Sequence, residues 1–329
     1  MKKHLINIFL KFRGLWLTRW LTAKDSKIFM YHSFSKEQKT GYLSSHEFER
    51  QIKLIKAHFV PLTLLEFTHL KEQRSLPKNS VVLTVDDGYF NFYDIAYPIL
   101  KKHGVPATFF VTTGFIDGKL WLWPDKLKYL IGKNKFVGDM ELDGAIFVFC
   151  GDKNRDWSML NDHCLSISED HKNIFIAALE KELEIKLPKI PPDDFKPCNW
   201  EQLKEMEQNG VEIGGHTVTH PSLGQVSLEQ ANQEIKDCYE HLSSELGEKG
   251  RTFCYPNGQP SDYNSEIIDI LKSSKFLSAV TAFPDIHLDS KEYSWRRMNG
   301  ALEFALFKRC LFGLEFLGMK ITKQQRCDY

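Results

Sequence analysis

The chain has 329 residues, 42% of them hydrophobic, with 43 Lys plus Arg balanced by 43 Asp plus Glu. That content suffices for a large core and excludes disorder as a description of the whole. Zero net charge excludes a globally basic nucleic-acid binder, so no nucleic-acid partner is expected.

In chain order, residues 1–26 read as a basic amphipathic N-terminal helix. Leu5, Phe9, Phe12, Trp16 and Trp20 recur at three- and four-residue spacing, and Lys2, Lys3, Lys11, Arg13, Arg19 and Lys24 supply charge. Such a segment suits an anionic membrane surface, with rings at headgroup depth and cations near lipid. Lys11, Arg13 and Arg19 interrupt the apolar run, so neither a secretory signal nor a bilayer span is expected. Seven cysteines, none in a C-x-x-C pair, read as reduced thiols. Together these features predict a cytoplasmic protein, peripheral at the inner face of the membrane.

From residue 27 to 329 the pattern is one domain of alternating strands and helices. Short apolar runs at 27–31, 81–85, 107–111, 211–213, 252–255 and 277–281 read as buried strands. Ser44 with Glu47, Ser227 with Gln230, and Asn199 read as helix starts. Alternation implies parallel pairing through right-handed crossovers, the pattern of an α/β barrel. Residues 116–198 break the rhythm and read as a helical insertion between two barrel strands, with a small strand at 147–149. Residues 301–319 read as an apolar C-terminal helix, with Phe304, Phe307, Leu311 and Leu314 near one stripe.

Reactive side chains follow the strands. His32 ends the first, Asp86-Asp87-Gly88 the second, and Gly214-Gly215-His216 the fourth. In an α/β barrel the C-terminal strand ends converge on one face, so these groups meet. Two adjacent carboxylates can divide roles, one on a metal and one free as a base. His216-Thr217-Val218-Thr219-His220 sets two imidazoles at i, i+4, which face the same way on a helical turn. Two imidazoles and one carboxylate leave room for water or substrate on a metal.

Thr84-Val85-Asp86-Asp87-Gly88 resembles the first motif of the polysaccharide deacetylases, the NodB-homology or carbohydrate esterase family four. His216 to His220 resembles the second motif. Phe253-Cys254-Tyr255-Pro256-Asn257-Gly258 resembles the third. The resemblance implies a distorted, incomplete (β/α) barrel and metal-dependent removal of acyl groups from amino sugars. It makes Asp86 the catalytic base and Asp87, His216 and His220 the metal ligands. The backbone amide of Asn257 becomes the oxyanion donor. Zinc is the first expectation for the divalent metal; Fe, Co, Ni or Mn also suits such a donor set. The expected substrate is an acylated amino sugar of a cell-surface polysaccharide or its lipid-linked precursor. The rival readings are a deformylase of a lipid-linked aminosugar and a glycan-binding pseudoenzyme.

The chain departs from the family pattern twice. Cys254 stands where the third motif commonly carries an Arg. Arg297, in Trp295-Arg296-Arg297-Met298, resembles a late element of one branch and is expected to supply the missing cation, with Arg296 turned away. The usual late motif whose His protonates the leaving amine is also absent, and His32 is the expected substitute, ahead of His287. Trp121 and Trp123 are candidates to stack on sugar, and Asp125 sits beside them.

Overall fold

The computed structural model describes residues 14–283 and 292–322. His287 and residues 1–13 of the expected N-terminal helix lie outside these.

Eight strands form one curled, all-parallel sheet. They are β1 (Lys27–Tyr31), β2 (Val60–Leu62), β3 (Ser80–Val85), β4 (Ala107–Val111), β5 (Val211–Gly215), β6 (Arg251–Cys254), β7 (Phe276–Val280) and β8 (Met298–Asn299). The spatial order is β7-β6-β5-β4-β3-β1-β8, and β2 pairs with the start of β3. β1 takes one edge of β3 along its length, so β2 and β4 share the other. Sequence patterning overlooks β2, which carries Pro61 in three residues, and β8, which is two residues long. Trp295 bridges to Val280 on β7, while Met298 and Asn299 pair with Phe29 and Met30 on β1. The segment from Trp295 to Asn299 therefore spans the two edges of the incomplete barrel.

The strands are buried on both faces, and alternate residues divide between two cores. Phe29, Val81, Leu83, Val85, Phe109 and Phe253 pack outward against the helices. Ile28, Val82, Phe110, Cys254 and Val280 point inward, plugged by Leu64, Phe67 and Trp295. Extending the inward parity to the strand ends brings in Thr84, Asp86, His32 and His216. Gly214 is also inward. A Cβ there would meet the Phe110 ring at 2.6 Å and the Thr252 carbonyl at 2.8 Å, so the interior has no room for a side chain.

The helix starts form as the side chains dictate. Ser44 accepts from the Glu47 amide and Ser227 from the Gln230 amide, while Asn199 and Gln202 make a reciprocal capping box. Between β4 and β5 lie helices Trp123–Lys133, Lys153–Ser166 and Glu169–Glu182 and an antiparallel hairpin, Gly138–Leu142 with Ala145–Phe149. They share their own apolar cluster around Leu127, Leu130, Phe149, Leu160 and Phe175.

The first described helix, Gly14–Leu21, buries Leu15 and Thr18 and leaves Trp20 73% exposed. The expected single helix at 301–319 is two helices, Phe304–Leu311 and Leu314–Thr322. They break at Gly313, where φ is +80° and a Cβ would collide with Thr22. Among the described residues no helix is long and apolar enough to cross a membrane. The six described cysteines are free thiols, all but Cys150 buried.

Candidate active site

His32, Asp86, Asp87, His216, His220, Asn257 and Arg297 all line one cavity of about 200 Å³ at the C-terminal ends of the strands. Five strand ends and the edge-spanning segment contribute to it, so the expected convergence is the observed one.

Asp86 arrives by inward parity, as the residue after β3. Its neighbour Asp87 would point outward on an extended chain. A left-handed turn at Asp87, with φ +80°, swings it back into the cavity. Thr217, His220 and Asn257 are left-handed as well, at +63°, +64° and +58°. Four of the nine described non-glycine residues with such backbone therefore belong to this site. Each costs about 1–3 kcal/mol, and such strain gathers where function needs a fixed geometry.

The two histidines do not sit on a helix, contrary to the i, i+4 reading. Residues 216–220 form an irregular loop. Left-handed Thr217 and His220 fold it so that the rings approach to 4.8 Å between centroids. The Glu234 carboxylate holds this loop, accepting from the amides of Val218 (2.8 Å) and Thr219 (2.9 Å) and from the Thr219 hydroxyl. The amides of Thr113 and Gly114 donate to the carbonyls of Thr217 and Val218. The sequence carries a signal for Glu234, which shares a helical face with buried Ala231, Ile235 and Cys238.

Asp87, His216 and His220 form a set that can hold a metal ion. Asp87 Oδ1 lies 3.4 Å from His216 Nε2 and 3.5 Å from His220 Nε2. All three ligand atoms lie within 4.8 Å of one another. His216 Nδ1 donates to the Cys254 carbonyl at 2.7 Å, which fixes the tautomer and leaves Nε2 as the free lone pair facing Asp87. The residues thus fit a divalent cation. Burial works against charge on Asp87, but the two imidazoles, when they carry a proton on Nε2 in place of a cation, outweigh it and hold its carboxyl well below the ordinary value.

Asp86 is bound differently. Arg297 Nη1 donates to Asp86 Oδ1 at 2.7 Å, and both side chains are buried. Thr84 Oγ1 receives a second bond from Nη1 at 3.0 Å, the Thr281 carbonyl accepts from Nε at 2.6 Å, and Nη2 faces Cys254 Sγ at 3.1 Å. Burial opposes the Asp86 charge, and the Arg297 guanidinium, then His32, overcome it and hold the carboxyl below its ordinary 3.8. Arg296 does turn away, lying 4.0 Å over the Phe283 ring and donating to the Tyr263 hydroxyl. His32 Nε2 stands 3.7 Å from Asp86 Oδ2, with its side chain 47% exposed.

At the opposite wall Asn257 and Gly258 turn the chain. A Cβ on Gly258 would meet the Ala282 amide nitrogen at 2.6 Å, so glycine is required there. Asn tolerates the left-handed region at 257 better than most residues.

The insertion closes one side of the cavity with Leu122, Pro124, Lys128, Trp157 and Asn161. Trp121 and Trp123 do not reach it. Trp121 packs on Tyr129 and Phe195, and Trp123 carries Lys172 at 4.5 Å. The aromatic of this wall is the half-buried Trp157, whose Nε1 donates to the Pro124 carbonyl. Asp125 is buried and accepts from the Tyr89 hydroxyl at 2.7 Å. Burial pushes its carboxyl up to about 7.

A family model described as polysaccharide deacetylase matches residues 73–277. Poly-beta-1,6-N-acetyl-D-glucosamine N-deacetylases of Staphylococcus aureus and Staphylococcus epidermidis are 45% identical over 87 and 85 residues. These matches cover 26% of this chain and 30% and 29% of theirs. The match thus spans less than a third of the curated relatives. The Streptococcus pyogenes deacetylase PplD, solved with acetate, superimposes with a TM-score of 0.55 at 22% identity, over 83% of this chain and 91% of its own. IcaB from Ammonifex degensii gives 0.53 at 19% identity, over 87% and 97%. These two likenesses establish the incomplete-barrel fold.

Proposed function

From the premise that the chain belongs to the polysaccharide deacetylase family, we propose that it hydrolyses the N-acyl group of an amino sugar in a cell-surface polysaccharide. The observation that carries this is the pairing of two unlike carboxylates in one cavity. Asp87 faces two imidazoles and Asp86 faces a buried arginine. A glycan-binding module has no use for a base and a metal set side by side.

A divalent cation, zinc by preference, held by Asp87, His216 and His220 would polarise the amide carbonyl and acidify a water. The chain's own residues do the rest. Asp86, kept ionised by Arg297, accepts the proton of the attacking water. The backbone N–H of Asn257 donates to the developing oxyanion, a donor fixed in advance by its left-handed turn. His32 is close enough to Asp86 to receive that proton and is exposed enough to deliver it to the departing amine. One acyl acid and one free amine result.

The relatives named for poly-β-1,6-N-acetylglucosamine make that polymer the first substrate to try. Acetate and formate release are measured on it, on other acylated glycans and on lipid-linked aminosugars, with Asp86→Asn as control. Acetate release from the polymer, lost in Asp86→Asn, supports the reading. Formate release confined to a lipid-linked aminosugar would replace it with deformylation.

The exposed apolar side of Gly14–Leu21, formed by Trp16, Leu17, Trp20 and Leu21, supports peripheral contact with an anionic membrane. Trp20→Glu should weaken sedimentation with anionic vesicles; undiminished sedimentation would move the anchor elsewhere.

A further inference from the structure

A buried lysine joins the insertion to both reactive loops. Lys172 lies in the insertion helix Glu169–Glu182 and is 1% exposed. Its Nζ donates to Glu169 Oε1 at 2.6 Å and stands 4.5 Å from the Trp123 ring centroid. Trp123 belongs to the apolar cluster of the insertion, and the next residue, Pro124, lines the catalytic cavity. An ammonium in such surroundings carries a large desolvation penalty, which an apolar side chain of similar length would avoid. Packing alone therefore does not account for Lys172.

Glu169 Oε1 also accepts from the Ser222 amide at 3.2 Å. Ser222 is buried, and its hydroxyl donates to Asp262 Oδ1. Asp262 Oδ2 accepts from the Gln259 amide at 2.7 Å. One polar chain thus runs from the insertion, through the loop after β5, to the loop after β6. The two loops also touch, since a Cβ on Gly224 would meet the Ser261 carbonyl oxygen at 2.0 Å. Gln225 Nε2 adds a second tie to the insertion, donating to the Leu165 carbonyl at 2.6 Å.

Each anchored residue stands two positions from a reactive one. Ser222 follows His220 across Pro221, whose ring fixes φ at about −65°, so an anchor at 222 constrains 220. Gln259 follows Asn257 across Gly258, which has no room for a side chain.

We propose that Lys172 and Glu169 are positioning residues for the hydrolysis: acting through Ser222, they set where His220 and Asn257 stand. Glu169 supplies the acceptor, and Lys172 holds its carboxylate in place. The inference rests on the metal and oxyanion roles given to those two residues, and it adds the insertion to the machinery that aims them.

The test compares two neutral replacements of the pair. Lys172→Met with Glu169→Leu removes both charges and the acceptor. Lys172→Met with Glu169→Gln removes the charges and keeps an oxygen for the Ser222 amide. Both should fold, because apolar or neutral residues of similar volume commonly replace a buried pair without loss, and Met keeps a contact with the Trp123 ring. Zinc affinity is read by competition with a chromophoric chelator, and kcat and KM by acetate release. The Glu169→Leu double variant should lose zinc affinity about 10–100-fold and lower kcat at unchanged KM. The Glu169→Gln double variant should recover most of both. A folded Glu169→Leu double variant with wild-type zinc affinity and kcat would overturn the proposal, as would equal losses in the two double variants. If the Glu169→Leu double variant does not fold, Ser222→Ala decides. It cuts only the branch to Asp262 and should lower kcat severalfold at unchanged zinc affinity, with Ser222→Thr recovering it; wild-type kcat in Ser222→Ala overturns the proposal. Zinc affinity lost in the Glu169→Leu double variant, with no acetate release from any acylated glycan by the wild type, would uphold the placement of His220 and sink the deacetylase reading.

Discussion

Arg297 and Asp86 meet at 2.7 Å across 211 positions of sequence, both sealed from solvent. This pair sets the charge state of the proposed base. Its folded value lies below the ordinary 3.8. A depressed carboxylate stabilises the fold above its unfolded pKa and loses that contribution as pH falls through the folded value. The pair therefore works across the neutral range and loses its contribution as pH falls below the ordinary carboxylate value.

Arg297→Ala leaves burial as the leading influence on Asp86 and raises its pKa. The acid limb of the kcat/KM profile should move to higher pH, and the protein should lose about 3–5 kcal/mol of stability for the orphaned charge. A pH–rate profile with a denaturant titration checks both. An unmoved limb in a folded variant would dismiss Arg297 as the partner of the base.

Cys254 Sγ lies 3.5 Å from Asp86 Oδ2 and 3.1 Å from Arg297 Nη2, next to the carboxylate oxygen that does not take the guanidinium's main bond. Cys254→Arg alone crowds a second cation against Arg297 and should destabilise the fold. Combined with Arg297→Ala it should recover part of the lost stability and return the acid limb toward the wild-type pH. A double-mutant cycle reads the coupling. Simple additivity would mean that position 254 cannot deliver a cation to Asp86.

Metal retention separates ligands from their supports. His220→Ala should abolish stoichiometric divalent metal by elemental analysis. Glu234→Ala frees the loop that carries His220 and should weaken metal affinity about 10–100-fold without removing a ligand. Equal metal content in all three proteins would remove Asp87, His216 and His220 from that role.

Asn257→Gly keeps the left-handed turn and its backbone donor, so most of kcat should survive. Asn257→Ala must adopt φ +58° against its preference, at about 1–2 kcal/mol. A large loss of kcat in Asn257→Gly would identify the side-chain amide, rather than the backbone, as the working donor.

Much of this centre was legible before any coordinates. β1 and β4 match their expected spans, because buried parallel strands are continuous apolar runs and the turns after them are polar. His32, Asp86 and His216 follow from strand parity. What stayed hidden depends on placement across the fold. Nothing local says that Trp157 faces the cavity while Trp121 and Trp123 do not, since the packing of the insertion decides it. The loop at 216–220 mimicked a helical turn because i, i+4 spacing is shared by both, and only the left-handed residues distinguish them. The Lys39–Asp194 pair was invisible because the two residues meet only after the insertion returns to the barrel.

The segment that joins the two edges of the sheet also carries Arg297. The proposed base, metal-binding residues and oxyanion turn are all encoded before residue 260, so a nascent chain of that length holds these groups without the counter-cation of Asp86. Barrel completion and charge compensation of Asp86 are then one event, and it follows the synthesis of those groups. Any lesion that keeps this segment undocked, however far from the cavity, removes the counter-cation from the proposed base.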